Sequence, residues 1–326
     1  MTLKFPIVIL IVFCGLSCET DPDINLDVDQ SPVVYAIFDK ADSVNNIFLT
    51  KTFSGDPLGA YHNAKIIDSL YYDNVDVTVR LFFEHKTDSG LIIEKKNVKG
   101  EEGLFFNKEA GIFSSQSIRY VFKQSLSDCY AIRAWIKIPG KDTLVYNTEV
   151  INTPKINSPK SDASYIALRP DMAFSVHWQG NSWNEIKIQI VVNTKTETSI
   201  SKDTLTYFKK GLSFQEGSDS KSFVASFSYD SYLGLLNSTL DTVSPVEFRQ
   251  IEDISLEVSC GNQIFKDYMD HYYQLSDEVP TISTSQAPSL FTSKSSKKLK
   301  GLQFDPASID YMKQDPLLKK FNFVYY

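Results

Sequence analysis

The segment Asn74–His85 reads NVDVTVRLFFEH, and apolar and polar side chains alternate along it. Odd positions of Val75–Leu81 are all aliphatic, whereas the even positions are Asp76, Thr78 and Arg80. Because successive side chains of a β-strand point to opposite faces, this alternation predicts a strand with one buried face and one exposed face. The segment therefore points to a β-sheet protein.

Several neighbouring segments repeat this alternation and are separated by turn residues. They are SPVVYAIFD (31–39), NNIFLTKTF (45–53), LIIEKKNV (91–98), CYAIRAWIKI (129–138) and TLVYNTEVI (143–151). Turn residues at Thr87–Gly90 and Pro139–Asp142 predict that the strands on either side form hairpins. These strands predict an N-terminal all-β domain over residues 31–152.

A second set of strands follows a polar, proline-containing stretch at Thr153–Lys160, which predicts a domain boundary. The segments FSVHWQG (174–180) and EIKIQIVVNTK (185–195) resemble the B–C hairpin of fibronectin type III modules. SKDTLTYFKKG (201–211) and ISLEVSCGNQIF (254–265) extend the same predicted sandwich. We therefore expect a fibronectin III-like β domain over residues 153–278.

Two segments show helical spacing, YDSYLGLLNSTL (229–240) and FKDYMDHYYQL (265–275). Residues 279–326 are rich in Ser, Thr and Lys, which predicts an irregular C-terminal segment. The predicted fold class is therefore mainly all-β. It has two antiparallel β-sandwich domains of the immunoglobulin or fibronectin III type, one or two short helices and an irregular tail.

Residues 1–17 have the composition of a signal peptide. Lys4 precedes the uncharged run Phe5–Leu16, which as a helix is about 18 Å long, shorter than the roughly 30 Å of a bilayer core. Gly15–Cys18 reads GLSC and resembles a bacterial lipobox, in which a peptidase cuts before the cysteine and its thiol is diacylated. The resemblance implies lipidation at Cys18. The alternatives are cleavage without lipidation and an uncleaved anchor.

Residues 18–30 predict an acidic tether, because five acids occur there without a basic residue. In Bacteroidota lipoproteins, acids just after the acylated cysteine resemble a signal for export to the outer face of the outer membrane. The alternating acids also resemble a calcium loop, but Leu26 occupies the position that requires glycine. We therefore expect no metal there.

Composition limits the function classes. The chain has 42% hydrophobic and 22% charged residues and a net charge of −7, so the balance of charge gives no indication of nucleic-acid binding. Beyond Cys18, the mature chain has Cys129 and Cys260, which form either one disulfide or, as we favour, two buried thiols. No Cys-x-x-Cys or His-x-x-x-His spacing indicates a zinc site.

The sequence contains no motif for catalysis or for a cofactor. It has four histidines, but no Gly-x-Ser-x-Gly elbow and no glycine-rich phosphate loop. Trp135, opposite the apolar face of its strand, and Trp183, in a turn, are candidates for stacking on a ligand. The alternative is that each ring folds back over its own domain.

The whole chain resembles outer-membrane lipoproteins of Bacteroidota. The resemblance rests on the lipobox-like start and on the segments SPVVYAIFDKADSVNNIFLTKTF (31–53) and SLFTSKSSKKLKGLQF (289–304). It implies a location at the outer membrane and a β-sandwich build, and it carries no catalytic motif. Our leading hypothesis is a lipid-anchored, non-enzymatic protein of the cell surface that binds or assembles with a glycan or an outer-membrane protein. The alternatives are an accessory component of a TonB-dependent nutrient-uptake complex and a carbohydrate-active hydrolase whose carboxylates the sequence does not reveal.

Overall fold

The computed structural model of the chain describes residues 31–52, 65–87, 90–106, 116–210, 222–240, 246–274 and 289–325. These residues are mainly β, with several antiparallel sheets, as predicted. The predicted signal peptide at 1–17, the predicted tether at 18–30 and the predicted lipidation residue Cys18 lie outside the described residues.

The first half of the chain contributes two sets of strands to one core. The strands are β1 (Pro32–Asp39), β2 (Val44–Lys51), β3 (Asp76–Thr87), β4 (Gly90–Lys99), β5 (Glu101–Phe106), β6 (Gln116–Lys123), β7 (Cys129–Lys137) and β8 (Leu144–Glu149), and the short helix α1 (Ile67–Leu70) follows β2. A four-stranded sheet has the order β4-β3-β7-β8. Its apolar face shares a hydrophobic core with β1, β2 and β6.

The second half of the chain surrounds another core. Its strands are β9 (Lys155–Ser158), β10 (Tyr165–Ile166), β11 (Phe174–Gln179), β12 (Trp183–Lys195), β13 (Ile200–Lys209), β14 (Ser222–Phe227), β15 (Phe248–Gly261), β16 (Leu290–Leu299) and β17 (Gln303–Phe304). The helices are α2 (Tyr229–Thr239), α3 (Gln263–Gln274), α4 (Pro306–Gln314) and α5 (Pro316–Lys319). The three-stranded sheet β14-β11-β9 shares this core with β12, β15 and helices α2, α4 and α5.

One eight-stranded sheet runs through both halves in the order β13-β12-β15-β16-β1-β2-β6-β5. The two halves meet where β16 pairs with β1 in parallel, with Tyr35 opposite Leu290 and Asp39 opposite Lys294. The predicted boundary at residues 152–153 lies between β8 and β9, and strands from both sides of it belong to this sheet. The division into two domains stays a prediction.

Most of the predicted hairpins are confirmed. Strand β1 pairs with β2, β3 with β4, and β7 with β8, each antiparallel. Gly140 has φ +74°, which the turn between β7 and β8 requires and which glycine adopts without strain. The prediction that 174–195 forms one hairpin is wrong, because β11 and β12 do not pair with each other. Strand β11 pairs with β14 and β9, whereas β12 pairs with β13 and β15.

The prediction of an irregular C-terminal segment is also wrong for its described residues, 289–325. Strand β16 is an inner strand of the eight-stranded sheet, and α4 and α5 pack on the second core. The final residues dock as well, since Arg249 N donates to Asn322 O and Val324 N donates to Arg249 O. The Arg249 side chain is buried and donates to Thr194 Oγ1 at 3.2 Å and to Phe321 O at 3.0 Å.

A buried polar network joins β16 to the chain that connects the two halves. Ser293 Oγ donates to Glu149 O at 2.6 Å, and Ile151 N donates to Ser293 Oγ at 3.2 Å. Asn262 Nδ2 donates to Thr148 Oγ1 at 3.0 Å. Because buried hydroxyl and amide groups need such partners, these Ser, Thr and Asn side chains fit a sheet interior despite their polarity.

Candidate functional site

The outer face of the four-stranded sheet β4-β3-β7-β8 carries a cluster that we call the arginine face. It consists of Arg80, Arg133, Trp135, Asn97 and Asn147. The alternation read from the sequence places these residues opposite the aliphatic side chains that fill the first core, and the structure confirms this for β3 and β7. The cluster is thus presented to solvent by a rigid sheet.

Two arginines lie directly opposite each other on this face. Arg80 of β3 is the register partner of Arg133 of β7. Arg80 Nε donates to Asn97 Oδ1 at 2.9 Å, and Arg133 Nε donates to Asn147 Oδ1 at 2.5 Å. Each guanidinium is therefore oriented by an amide on the neighbouring outer strand, and the four side chains form one row across the sheet.

Trp135 lies next to this row. Its ring is half-buried, with the Arg80 Cζ at 4.9 Å and the Arg133 Cζ at 5.9 Å from the ring centroid. Cations at such distances are attracted to the electron-rich face of an indole. Trp135 therefore has the outer-face position that the alternation predicts, and in the structure its ring contacts the two arginines.

The arrangement places like charges side by side. Neither Arg80 nor Arg133 makes an ion pair with a described residue, and Nε is the only atom of either group that donates to a described residue. Like charges opposite each other destabilise a sheet. On a chain with a net charge of −7, this arginine pair has no carboxylate partner among the described residues, and its guanidiniums have the geometry and charge to bind an oxyanion.

A pocket of about 530 Å³ adjoins the arginine face. It lies between β3, β7 and β8 on one side and the start of α3 on the other. The lining residues are Phe82, Tyr130, Ala131, Ile132, Arg133, Asn147, Thr148, Glu149, Asn262, Gln263 and Ile264. Arg133 and Asn147 belong both to the arginine face and to the pocket, so the two features form one continuous surface.

The beginning of α3 adds to the positive character of this pocket. Asn262 caps the helix, because its Oδ1 accepts a hydrogen bond from Phe265 N at 3.0 Å. No acidic residue occurs in the first turn of α3, whose residues Gln263 and Ile264 line the pocket. The positive end of a helix dipole favours anions. Glu149 is the pocket residue of opposite charge, and it is exposed.

Trp183 has a different environment from Trp135. It is 5% exposed, and its ring meets Phe265 of α3 edge to face at a centroid distance of 4.9 Å. Gly261 permits this arrangement, because a Cβ at that position would collide with the Phe265 ring. In the structure Trp183 therefore follows the alternative of the sequence analysis, in which the ring packs over its own domain.

A second pocket, of about 470 Å³, has three carboxylate side chains among its lining residues. Glu252, Asp253 and Asp310 line it. Glu252 is paired with Lys202 at 2.5 Å, and Asp253 accepts a hydrogen bond from Gly301 N at 2.9 Å. Two of the three carboxylates thus already have structural partners.

Neither described cysteine lines either of these two pockets, and both are buried. Cys129 and Cys260 are buried free thiols, and burial raises the pKa of Cys129 and raises the pKa of Cys260 to about 12. A raised pKa keeps a thiol protonated and unreactive. Of the four histidines, His177 is the one whose side chain the structure describes, and it is exposed on β11.

The part of the chain that the structure describes has neither a metal-site cluster nor a helix that could cross a membrane. Those residues bring together no group of three or more His, Cys, Asp or Glu side chains that suits a metal ion. Their helices are all too short or too polar to span a bilayer. Comparison of the chain with protein families and with curated protein sequences found no match.

Proposed function

We propose that this chain is a non-enzymatic, lipid-anchored protein of the outer-membrane surface and that it binds a ligand at the arginine face and the adjoining pocket. The anchor is Cys18, and the proposal rests there on the lipobox-like Gly15–Cys18 segment. The two cores belong to two β-sandwiches of the immunoglobulin or fibronectin III type. The first core, to which two sets of strands contribute, supports this description.

The single observation that carries the binding function is the Arg80–Arg133 pair. Both guanidiniums are held in place by asparagines and lack a carboxylate partner among the described residues. A sheet tolerates such an opposed pair at a cost to stability. A bound anion removes this cost, because it replaces repulsion with two charge-assisted interactions.

An array of glycans and peptides tests this site. We expect the wild-type chain to bind a subset of the array and the double variant Arg80→Gln/Arg133→Gln to lose that subset. The matched control is Lys99→Gln/Lys137→Gln, which removes two positive charges from the outer face of the same four-stranded sheet and leaves binding intact. Binding that the arginine double variant retains would refute the arginine face as the site.

The anchor has its own test. Metabolic labelling with palmitate should mark the wild-type chain and not Cys18→Ala, and protease added to intact cells should digest the wild-type chain. Labelling that survives in Cys18→Ala contradicts the anchor. Stable co-purification with a barrel protein from outer membranes, abolished together with anchoring, would favour the accessory role in nutrient uptake.

A further inference from the structure

The pocket beside the arginine face combines groups that recognise two different parts of one ligand. Arg133 offers the terminal nitrogens of its guanidinium, which donate to no described residue. The positive end of α3 lies in the same pocket, at Gln263. Both features favour an oxyanion such as a carboxylate or a sulfate.

Other groups in the pocket suit hydroxyl groups. Glu149 is exposed and carries acceptor oxygens, and the amide of Asn147 has donors beyond the oxygen that holds Arg133. A carboxylate in the pocket repels a ligand that carries several negative charges, but it accepts hydrogen bonds from hydroxyls. Glu149 therefore favours a ligand with one anionic group and several hydroxyl groups over an acidic peptide.

The remaining wall is aromatic. Phe82 and Tyr130 lie with their ring centroids 6.2 Å apart and both line the pocket. Aromatic rings at binding sites supply a large apolar surface with a polar tip, which suits the C–H face of a sugar ring. The pocket volume of about 530 Å³ lies within the range of small-molecule sites.

We propose that this pocket binds an acidic sugar, with the carboxylate or sulfate of the sugar at Arg133 and its hydroxyl groups at Glu149 and Asn147. Arg80 raises the positive potential of the surface, and Trp135 acts as a positioning residue that holds both guanidiniums. The inference rests on the proposed function, because it names the ligand class of that same site.

Titration calorimetry with defined sugars tests the inference. The probes are galacturonate, its methyl ester, galactose 6-sulfate, tri-glutamate and inorganic sulfate. We expect the wild-type chain to bind galacturonate or galactose 6-sulfate, each of which carries one anionic group, and the ester to bind at least about tenfold more weakly because it lacks the charge. The acidic sugar that binds with the higher affinity shows whether the pocket prefers a carboxylate or a sulfate.

Variants locate the site and control for folding. Arg133→Gln should weaken binding of the acidic sugar by at least about tenfold, whereas Lys137→Gln, on the same strand and outside the pocket, should not. Glu149→Gln should weaken binding of the sugar relative to that of inorganic sulfate, because the sugar loses an acceptor for its hydroxyl groups whereas sulfate loses only a repelling charge. Thermal unfolding of each variant shows that it folds.

Four results would overturn the inference. They are equal binding of the acid and its methyl ester, equal effects of Arg133→Gln and Lys137→Gln, equal binding of inorganic sulfate and the sugar, and binding of tri-glutamate in preference to both sugars. Absence of binding of either acidic sugar at millimolar concentration would also overturn it. The proposed function fails on a different result, namely array binding that survives loss of both arginines.

Discussion

Iodide should quench the fluorescence of this protein more strongly than caesium does, because the accessible tryptophan lies beside two positive charges. The chain has three tryptophans. Trp178 is 0% exposed and Trp183 is 5% exposed, so Trp135 is the one that an ion in solution reaches. Quenching by ions therefore reports the electrostatic potential at the arginine face.

The distances from the two guanidiniums to the Trp135 ring set how strongly iodide is enriched there and caesium is depleted. The Arg80 and Arg133 Cζ atoms lie 4.9 and 5.9 Å from the Trp135 ring centroid. In water these charges would attract a monovalent anion at the ring by about 0.8 and 0.7 kcal/mol. Screening with a Debye length of about 8 Å roughly halves each value. The total of about 0.8 kcal/mol corresponds to up to about fourfold enrichment of iodide and a similar depletion of caesium.

The assay compares Stern–Volmer constants at 0.15 M ionic strength, with N-acetyltryptophanamide as the reference for the intrinsic strength of each quencher. We expect the iodide-to-caesium ratio to exceed the reference ratio by several-fold. Arg80→Gln/Arg133→Gln should bring the ratio to the reference value or below it, because the chain is acidic overall. Lys99→Gln/Lys137→Gln should retain most of the excess, and Trp135→Phe should remove the quenchable emission. A wild-type ratio at or below the reference would refute the electrostatic reasoning.

Further predictions concern stability and reactivity. Asn262→Ala should lower the free energy of unfolding in urea by about 3 kcal/mol, because it removes a helix cap and leaves buried partners without their hydrogen bonds. Arg249→Met should lower it by about 2–3 kcal/mol through loss of the buried contacts that dock the C-terminal residues. Cys260, whose pKa burial raises to about 12, should react with iodoacetamide in the native protein only as fast as the protein unfolds. Burial raises the pKa of Asp39 in the folded protein above its usual 3.8. Because the folded state then holds the proton more tightly than the unfolded state does, the free energy of unfolding falls as pH rises from 3.8 through the folded-state pKa. Asp39→Asn should therefore raise the unfolding free energy at pH 7, with the gain vanishing below about pH 3.

The two variants of the buried networks have controls. Asn262→Ser keeps a capping oxygen without burying a charge and should cost less than the alanine variant, and Lys202→Met, at an exposed ion pair, should change stability by less than about 0.5 kcal/mol. If Asn262→Ala or Arg249→Met lowered the free energy of unfolding by less than about 0.5 kcal/mol, the buried networks would not stabilise the fold as we expect. Rapid reaction of Cys260 with iodoacetamide in the native protein would contradict the burial of its thiol. A stabilisation by Asp39→Asn that grows as pH falls would contradict the raised pKa of Asp39.

Six of the eight strands of the first half follow from local alternation in the sequence, and β5 and β6 do not. β3 and β7 each bury one aliphatic face, so the pattern alone places Arg80, Arg133 and Trp135 on the outer face. The pairing of Arg80 with Arg133 was not predictable. It depends on the register of two strands that are separated by residues 88–128, and that register is fixed by packing across the sheet.

The C-terminal strand was missed for a physical reason. In β16 the residues Thr292, Ser293 and Ser295 are buried, and hydroxyl-rich segments are ordinarily solvated loops. Their partners are backbone and side-chain groups more than a hundred residues away for Ser293 and Ser295. A local pattern does not contain such contacts, nor does it reveal the parallel pairing of β16 with β1.

Arg133, which lies beside Arg80 on the outer face, is the residue that we expect to bind an oxyanion on a sugar. Proton–nitrogen spectra of the arginine Nε–H groups, recorded during a titration with galacturonate and galactose 6-sulfate, report this contact residue by residue. We expect the signals of Arg133 and, less strongly, Arg80 to shift and saturate with one of these sugars and to stay in place with the methyl ester. Shifts confined to other arginines, or equal shifts with the ester, would rule out binding of the anionic group at Arg133.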